Sequence, residues 1–350
     1  MNDAEVWIVA GGTAGHLHAG IELARSLEHL TQPVLVTGDR PVEDRAAEGS
    51  PWPRVRLADA GLVRPGHWPH PRALATNLQA LRRAPVPRIA VGLGGAHEVL
   101  ALGFAKARGA RLVGIEQNAA LGRAHRLLAP WLDTLVLAWP TTVPRSVQDR
   151  SVLVGAPARK LPSRSEARRE LGVSDEELVL VVTSGSLGAR SINDATVELV
   201  TGGALDGLAV FHFLGERNLP SAVPPPSERY RPVVGFDPRA GAAIAAADLV
   251  LARAGSSTLA ELALAGVPSV LVPLPGAPGD HQRANARLFE QAGAALIVEE
   301  GPGLAARVRA ALVGLVADPA RRAAMGEAAR SLGSPRASER IVEEVVRWLT

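Results

Sequence analysis

The stretch Val6-Trp7-Ile8-Val9-Ala10-Gly11-Gly12-Thr13-Ala14-Gly15-His16 decides how the chain is read. Five apolar residues without polar alternation suit a strand buried on both faces, and the glycines turn the backbone towards a helix. Residues 178–183, followed by Ser184-Gly185-Ser186-Leu187-Gly188-Ala189, repeat the arrangement in the second half. A strand, a glycine turn and a helix form the opening unit of a parallel α/β sheet.

Outward from these two stretches the same rhythm continues. Strands are expected at 6–10, 33–37, 88–93, 111–115 and 134–138, with a helix at 21–30. A second series is expected at 178–183, 209–214, 248–252 and 269–272. Strands separated by crossover-length helical segments imply parallel sheets covered by helices. The turn-rich segment 155–165 breaks the rhythm and marks a seam. Two similar doubly wound halves facing each other would bring their ligand-binding strand ends to a shared cleft.

The totals agree with two domains: 350 residues, 47% of them hydrophobic and 21% charged. There are no cysteines, which excludes disulfides, thiolate zinc sites, iron–sulfur clusters and thiol nucleophiles. The acidic start Met1-Asn2-Asp3-Ala4-Glu5 does not read as a secretory signal, and no apolar run is long enough to span a bilayer. Formal net charge is only +3, but residues 64–126 hold 10 basic against 2 acidic side chains. Such a local excess either serves an anionic partner or is a solvated arginine face over leucines that point to the core.

Six groups of residues are placed for chemistry. The turn Gly11–Gly15 lets backbone approach a ligand at a helix N-terminus, where N–H groups and the dipole favour phosphates. It is neither the G-x-G-x-x-G fingerprint nor a Walker loop. His16, at the start of that helix, suits a neutral general base; a water-exposed histidine is its alternative. Glu116-Gln117-Asn118 stands at a strand's C-terminal end, as cleft ligands or as a hydrogen-bonded turn. Ser184–Ala189 repeats the phosphate-binding logic. In Arg253-Ala254-Gly255-Ser256-Ser257-Thr258-Leu259-Ala260-Glu261, the spacing of Thr258 and Glu261 fits a capping box. A carboxylate at Glu261 could equally accept both hydroxyls of a ribose. Asp280-His281-Gln282 with Asn285 follows a proline–glycine loop, with an ordinary capped helix start as the plain alternative.

Taken together, these stretches resemble the MurG-type N-acetylglucosaminyltransferases of bacterial peptidoglycan synthesis. The resemblance rests on Gly-Gly-Thr-x-Gly-His at 11–16, Glu-Gln-Asn at 116–118 and Gly-x-Pro-x-Arg at 155–159. Gly-Ser-x-Gly-Ala at 185–189, Arg-x-Gly-x-x-Thr-x-x-Glu at 253–261 and Asp-His-Gln-x-x-Asn-Ala at 280–286 complete it. It implies the α/β GT-B architecture, two Rossmann-like parallel-sheet domains around a cleft. Residues 1–158 would form the acceptor domain, with a helix at 335–350 packing back on it, and 159–334 the donor domain. The implied reaction is inverting transfer of N-acetylglucosamine from UDP-N-acetylglucosamine to the 4-hydroxyl of lipid I, giving lipid II.

By motif, the resemblance makes His16 the candidate base. It puts Thr13, Gly15 and Asn118 at the donor sugar, Arg159, Ser186 and Gly188 at the diphosphate, and Glu261 at the ribose. The uracil would lie by Phe236, and the acetamido sugar by His281 and Gln282. Gly12, Ala14, Gly94 and Gly95 would form acceptor and diphosphate loops. No cofactor or metal is implied, and no Asp-x-Asp occurs among the 13 aspartates. The first half departs from the family pattern. Gly94-Gly95-Ala96-His97-Glu98-Val99-Leu100 replaces Gly-Gly-x-x-Ser-Gly-Pro, Ala14 replaces glycine, His18-Ala19 stands where proline is usual, and Ile115 replaces histidine.

The resemblance implies a peripheral position on the cytoplasmic face of the membrane, among anionic inner-leaflet lipids and other cell-wall synthesis proteins, with no nucleic-acid partner. Trp68, Arg72, Leu74, Leu78, Arg82 and Arg83 give the basic segment an apolar, arginine-rich face for that purpose. Three alternatives remain, of which two are a related transferase with another lipid or small-molecule acceptor and an NAD-dependent oxidoreductase suggested by the first unit ending in Asp39. A nucleotide-sugar-binding protein without catalysis is a third.

Overall fold

β1 (Glu5–Val9) has no solvent-facing side: Val6, Trp7 and Ile8 are 0% exposed. This is what an uninterrupted apolar run predicts for a central parallel strand. The computed structural model describes residues 5–11, 14–62, 70–235 and 237–349. The chain divides into two units, 1–157 with 336–350, and 158–335.

In the first unit, β1 is followed by α1 (Ala14–Leu27), β2 (Gln32–Gly38), α2 (Pro41–Ala46) and β3 (Arg54–Leu57). Then come α3 (Pro71–Arg83), β4 (Ile89–Gly92), α4 (Glu98–Ala107), β5 (Arg111–Glu116), α5 (Arg123–Leu128), β6 (Thr134–Leu137) and β7 (Ser151–Leu153). All seven strands are parallel, in the order β3-β2-β1-β4-β5-β6-β7. The order reverses between β1 and β4, so their C-terminal ends open a crevice where ligands bind in such sheets.

The second unit runs α6 (Arg164–Leu171), β8 (Leu178–Thr183), α7 (Arg190–Thr201), β9 (Leu208–Gly215), β10 (Tyr230–Val234), α8 (Ala240–Ala246) and β11 (Leu249–Ala252). It continues with α9 (Ser256–Ala265), β12 (Ser269–Leu271), α10 (His281–Gln291), β13 (Ala295–Ile297), α11 (Leu304–Val316) and α12 (Pro319–Leu332). Its six parallel strands follow the order β10-β9-β8-β11-β12-β13, with the switch point between β8 and β11.

The last helix, α13 (Ala337–Val346), belongs to the first unit. Ile341 and Val345 enter the core that contains Val6, Ile8 and Val136. Arg340 adds bonds to the carbonyls of Leu153 and Val154 at 3.0 and 3.2 Å, and Trp348 Nε1 donates to Thr134 Oγ1 at 3.0 Å.

The long apolar strands lie where periodicity puts them, and the differences are instructive. α1 runs Ala14–Leu27 rather than 21–30, and His16 sits in its first turn, at the helix start expected for it. Four strands had no apolar signal of their own. β3 alternates arginine with apolar residues, β10 contains Pro232, and β7 and β13 have three residues each. All four are sheet edges or their immediate extensions, where burial is partial and the backbone ladder supplies the order.

Candidate active site

At the β1/β4 switch point, His16 Nδ1–H donates to the Gly11 carbonyl at 3.1 Å. Burial holds the imidazole below the usual histidine value, opposed by the Gly11 bond and by the charges of Glu116 and Glu98. The ring is therefore neutral near pH 7, with Nε2 as its proton-accepting atom. The loop after β4 closes tightly on this turn. A Cβ on Gly94 (φ 105°) would lie 3.2 Å from His16 Cε1, and one on Gly95 (φ 114°) only 2.5 Å from Gly11 O. Both positions need glycine, for conformation and for space.

The segment 116–118 does both things its sequence allows. Glu116 is 3% exposed, and its carboxylate accepts from the backbone N–H groups of Asn118 (3.0 Å) and Gly122 (2.7 Å) and from His125 Nδ1 (2.9 Å). It is thus the centre of a hydrogen-bonded turn. The His125 bond and charge, with these backbone bonds, hold its carboxyl below the ordinary range although burial pushes it up. Gln117 is buried and donates to Leu93 O at 3.4 Å. Asn118 is half-buried, with Nδ2 directed to Glu116 Oε1 at 3.2 Å.

At the β8/β11 switch point the turn at 184–189 leads into α7. Gly188 (φ 71°) packs so closely on β9 that a Cβ there would collide with the Leu214 carbonyl. Ser186 is half-buried in the same turn, and Ser184 Oγ is buried with no hydrogen-bond partner among the described residues. Behind this turn lies a neutral polar chain. Asn193 Nδ2 donates to the carbonyls of Leu214 and Asn218, His212 Nε2–H donates to Asn193 Oδ1, and Tyr230 O–H donates to His212 Nδ1, both at 3.0 Å. Burial lowers His212 to about 4 and raises Tyr230 to about 12, so neither ionises near neutrality.

The capping box at Thr258 and Glu261 does not form. α9 starts at Ser256 with Gly255 as its N-cap, which places Thr258 inside the helix, too late to cap it. Glu261 instead meets Arg159 Nε at 2.6 Å. Burial raises the Glu261 carboxyl, and Arg159 pulls it back. Arg253 is 8% exposed and serves as a clamp, donating to Val272 O (3.1 Å), Pro273 O (3.2 Å) and Ser191 Oγ (3.2 Å) beside its ion pair with Glu300. His281 and Gln282 open α10. His281 Nδ1 donates to Pro278 O at 2.8 Å, and Gln282 Oε1 accepts from Leu274 N at 3.0 Å. Asp280 (φ 52°) is the N-cap residue of α10 but makes no side-chain cap bond. It lies 3.3 Å from Arg283.

Thr13, Gly12, Phe236 and Trp68 lie outside the described residues, as do the side-chain positions of Ala14 and Gly15. In α3, Arg72, Arg82 and Arg83 are exposed. The leucines of that face turn inward more than the periodicity suggested: Leu81 is core, and Leu74 and Leu78 are half-buried. The cause is Asn77, whose amide bonds both the N–H and the C=O of Ala58 at 2.8 Å and draws α3 onto the end of β3. No helix of the described residues is long and apolar enough to cross a membrane.

Comparison with known proteins separates the alternatives. Residues 179–341 match the glycosyltransferase family 28 C-terminal domain. The UDP-N-acetylglucosamine--N-acetylmuramyl-(pentapeptide) pyrophosphoryl-undecaprenol N-acetylglucosamine transferase of Desulforudis audaxviator is 33% identical, covering 97% of this chain and 96% of that protein. The Thermus thermophilus protein of the same name is 34% identical over 83% of this chain and 87% of its own. The chain belongs to this family. Acinetobacter baumannii MurG shares its fold, with a TM-score of 0.76 at 24% identity over 98% of this chain and 99% of that one. The calicheamicin glycosyltransferase CalG4 does so at 0.67 and 16% identity, over 100% and 99% of the two chains. The fold is GT-B, and an oxidoreductase is excluded.

Around these two turns, sequence reasoning gave no role to Glu98, His125 or Asn193. Glu98 alone carried a signal, as a carboxylate where the family pattern has serine. The others become visible only when distant segments meet.

Proposed function

We propose that the chain transfers N-acetylglucosamine from UDP-N-acetylglucosamine to the 4-hydroxyl of lipid I, producing lipid II with inversion. The single observation that carries this reading is the match to transferases of that name along nearly the whole chain. Residues 1–157 with 336–350 serve the acceptor, and 158–335 the donor. His16 Nε2 takes the proton of the acceptor hydroxyl as that oxygen bonds to the anomeric carbon. The bond from that carbon to the diphosphate breaks, and UDP leaves with the electron pair.

The N–H groups ahead of α7, Ser184, Ser186, Gly188 and Arg159 stabilise the departing charge. Glu261 takes the ribose, and His281 and Gln282 the acetamido sugar, with Asn118 beside the donor. Thr13 and Gly15 also serve the donor, Gly12, Ala14, Gly94 and Gly95 shape the acceptor and diphosphate loops, and Phe236 lies by the uracil. The protein works peripherally on the cytoplasmic leaflet through the arginines of α3, with anionic lipid and other cell-wall synthesis proteins as partners.

Incubation with radiolabelled UDP-N-acetylglucosamine and lipid I tests the reading: labelled lipid II is expected, and labelled sugar found only as hydrolysis product would refute it. A second reading, transfer to another lipid or small acceptor, is favoured by one observation. The 94–100 loop departs from the family pattern on the acceptor side. Faster turnover with such an acceptor than with lipid I would select it.

A further inference from the structure

Two buried titratable side chains of the first unit have no role in the mechanism above. Glu98, the first residue of α4, is 0% exposed, and His125 of α5 is 1% exposed. His125 is gripped from two sides. Its Nδ1 lies 2.9 Å from Glu116 Oε2 and its Nε2 3.0 Å from Glu98 Oε1. Only the Glu116 contact is a hydrogen bond to a carboxylate; Nε2 donates to Gly92 O and faces Glu98 as an ion pair, so both nitrogens carry hydrogen and the ring is an imidazolium. Burial opposes that charge, but Glu98 and Glu116 hold it well above the ordinary histidine value.

The cluster is joined to His16 through one strand end. The Glu98 carboxylate lies directly over Gly92, where any side chain would collide with it, and Gly92 O lies 3.4 Å from His125 Nε2. Two residues on, Gly94 faces the His16 ring, which a Cβ at that position would meet at 3.2 Å. The charged groups facing His16 are Glu116 from the end of β5, Glu98 from α4 and His125 from α5. One cation between two carboxylates leaves a net negative charge behind the imidazole. The family pattern has serine where this chain has Glu98, so this buried charge departs from that pattern.

We infer that Glu98 and His125 are a matched pair of positioning residues. His125 fixes the Glu116 carboxylate in the turn that carries Asn118. Glu98 balances His125 and keeps the field behind His16 negative, favouring proton uptake by the imidazole. This rests on the reading of His16 as the base, and the test separates the two.

Glu98→Gln keeps the shape and removes one negative charge. The acidic limb of the kcat/KM profile with UDP-N-acetylglucosamine and lipid I is expected to move to lower pH, by on the order of one unit. Glu98→Gln with His125→Asn removes one charge of each sign and is expected to return the limb towards its parent position. Histidine-labelled protein, with His16 assigned by His16→Gln, reports the same movement in its NMR titration. If that titration moves while the rate profile stays, the pair acts as inferred and the base is another group. If it does not move in Glu98→Gln, or is not restored in the double variant, the inference falls. Should Glu98→Gln fail to fold, Glu98→Ser with His125→Asn, which lacks both charges, is expected to fold and titrate as the parent. Its failure to do so would equally overturn the pairing.

Discussion

The glycine turn after β1 is backed by ionised side chains, whereas the one after β8 is backed by neutral ones. In the first unit Glu98, His125 and Glu116 carry charge into a dry interior beside His16. In the second, Asn193, His212 and Tyr230 form a fully hydrogen-bonded neutral chain, and the charged Arg159–Glu261 pair stands nearer solvent. A site that moves a proton gains from fixed charges that set basicity. A site that holds an anion gains from backbone donors on a rigid neutral support, because buried negative charge would repel the ligand. Under the proposed function, the same strand–glycine–helix unit is finished for two tasks.

The sharpest way to break this contrast is His16→Ala. Loss of a general base lowers kcat by about 10²- to 10⁴-fold. Calorimetric affinity for UDP-N-acetylglucosamine should fall far less than kcat, since most donor contacts are assigned to the other unit and none to the His16 side chain. A parallel fall in affinity would mean that His16 binds rather than accepts a proton. Titrating UDP-glucose and NAD in the same way should give weaker binding and none.

The buried histidines give the next effect, with opposite signs. His212 sits near 4 when folded against 6.5 when unfolded. Its neutral form is therefore favoured above 6.5, and stability is lost as pH falls from 6.5 towards 4, by about 3 kcal/mol in all. His125 is raised, so its stabilisation is complete below 6.5 and disappears as pH rises through its folded value. Hydrogen exchange should accordingly loosen the second unit on acidification and the first on alkalinisation. His212→Gln should flatten the acid slope, and unchanged slopes would remove the distinction.

Smaller again is the donor clamp. Arg159→Ala and Glu261→Ala should each weaken UDP-N-acetylglucosamine binding by about 10- to 100-fold, the range for a lost charged hydrogen bond. A double variant no worse than either single one would show that the two act as a unit.

How much of this was legible depended on range. Central strands announced themselves, because burial on both faces demands an apolar run, and the glycine turns fell at both switch points. Local spacing misled at Thr258 and Glu261, since a capping box is defined relative to a helix start that sequence leaves uncertain, and Gly255 took the cap. The Glu98–His125–Glu116 cluster was illegible because its members come from α4, α5 and the end of β5, and no period links them. Arg159 and Glu261 were each singled out, but their ion pair spans too much chain to be read from spacing.

The smallest effect concerns the outer surfaces. Residues 1–155 carry a net +4 and the remainder −1, and α3 presents Arg72, Arg82 and Arg83 to solvent. Each arginine near an anionic bilayer contributes about 1 kcal/mol, or roughly fivefold in partitioning. Arg82→Gln and Arg83→Gln should each lower flotation with anionic vesicles at low salt by about that factor, while turnover with detergent-dispersed acceptor is unchanged. Because Leu81 is buried and Leu74 and Leu78 are half-buried, the described residues of α3 leave little leucine surface to insert. Binding should therefore weaken steeply with added salt. Retention at high salt would mean that an apolar surface elsewhere holds the protein to the membrane.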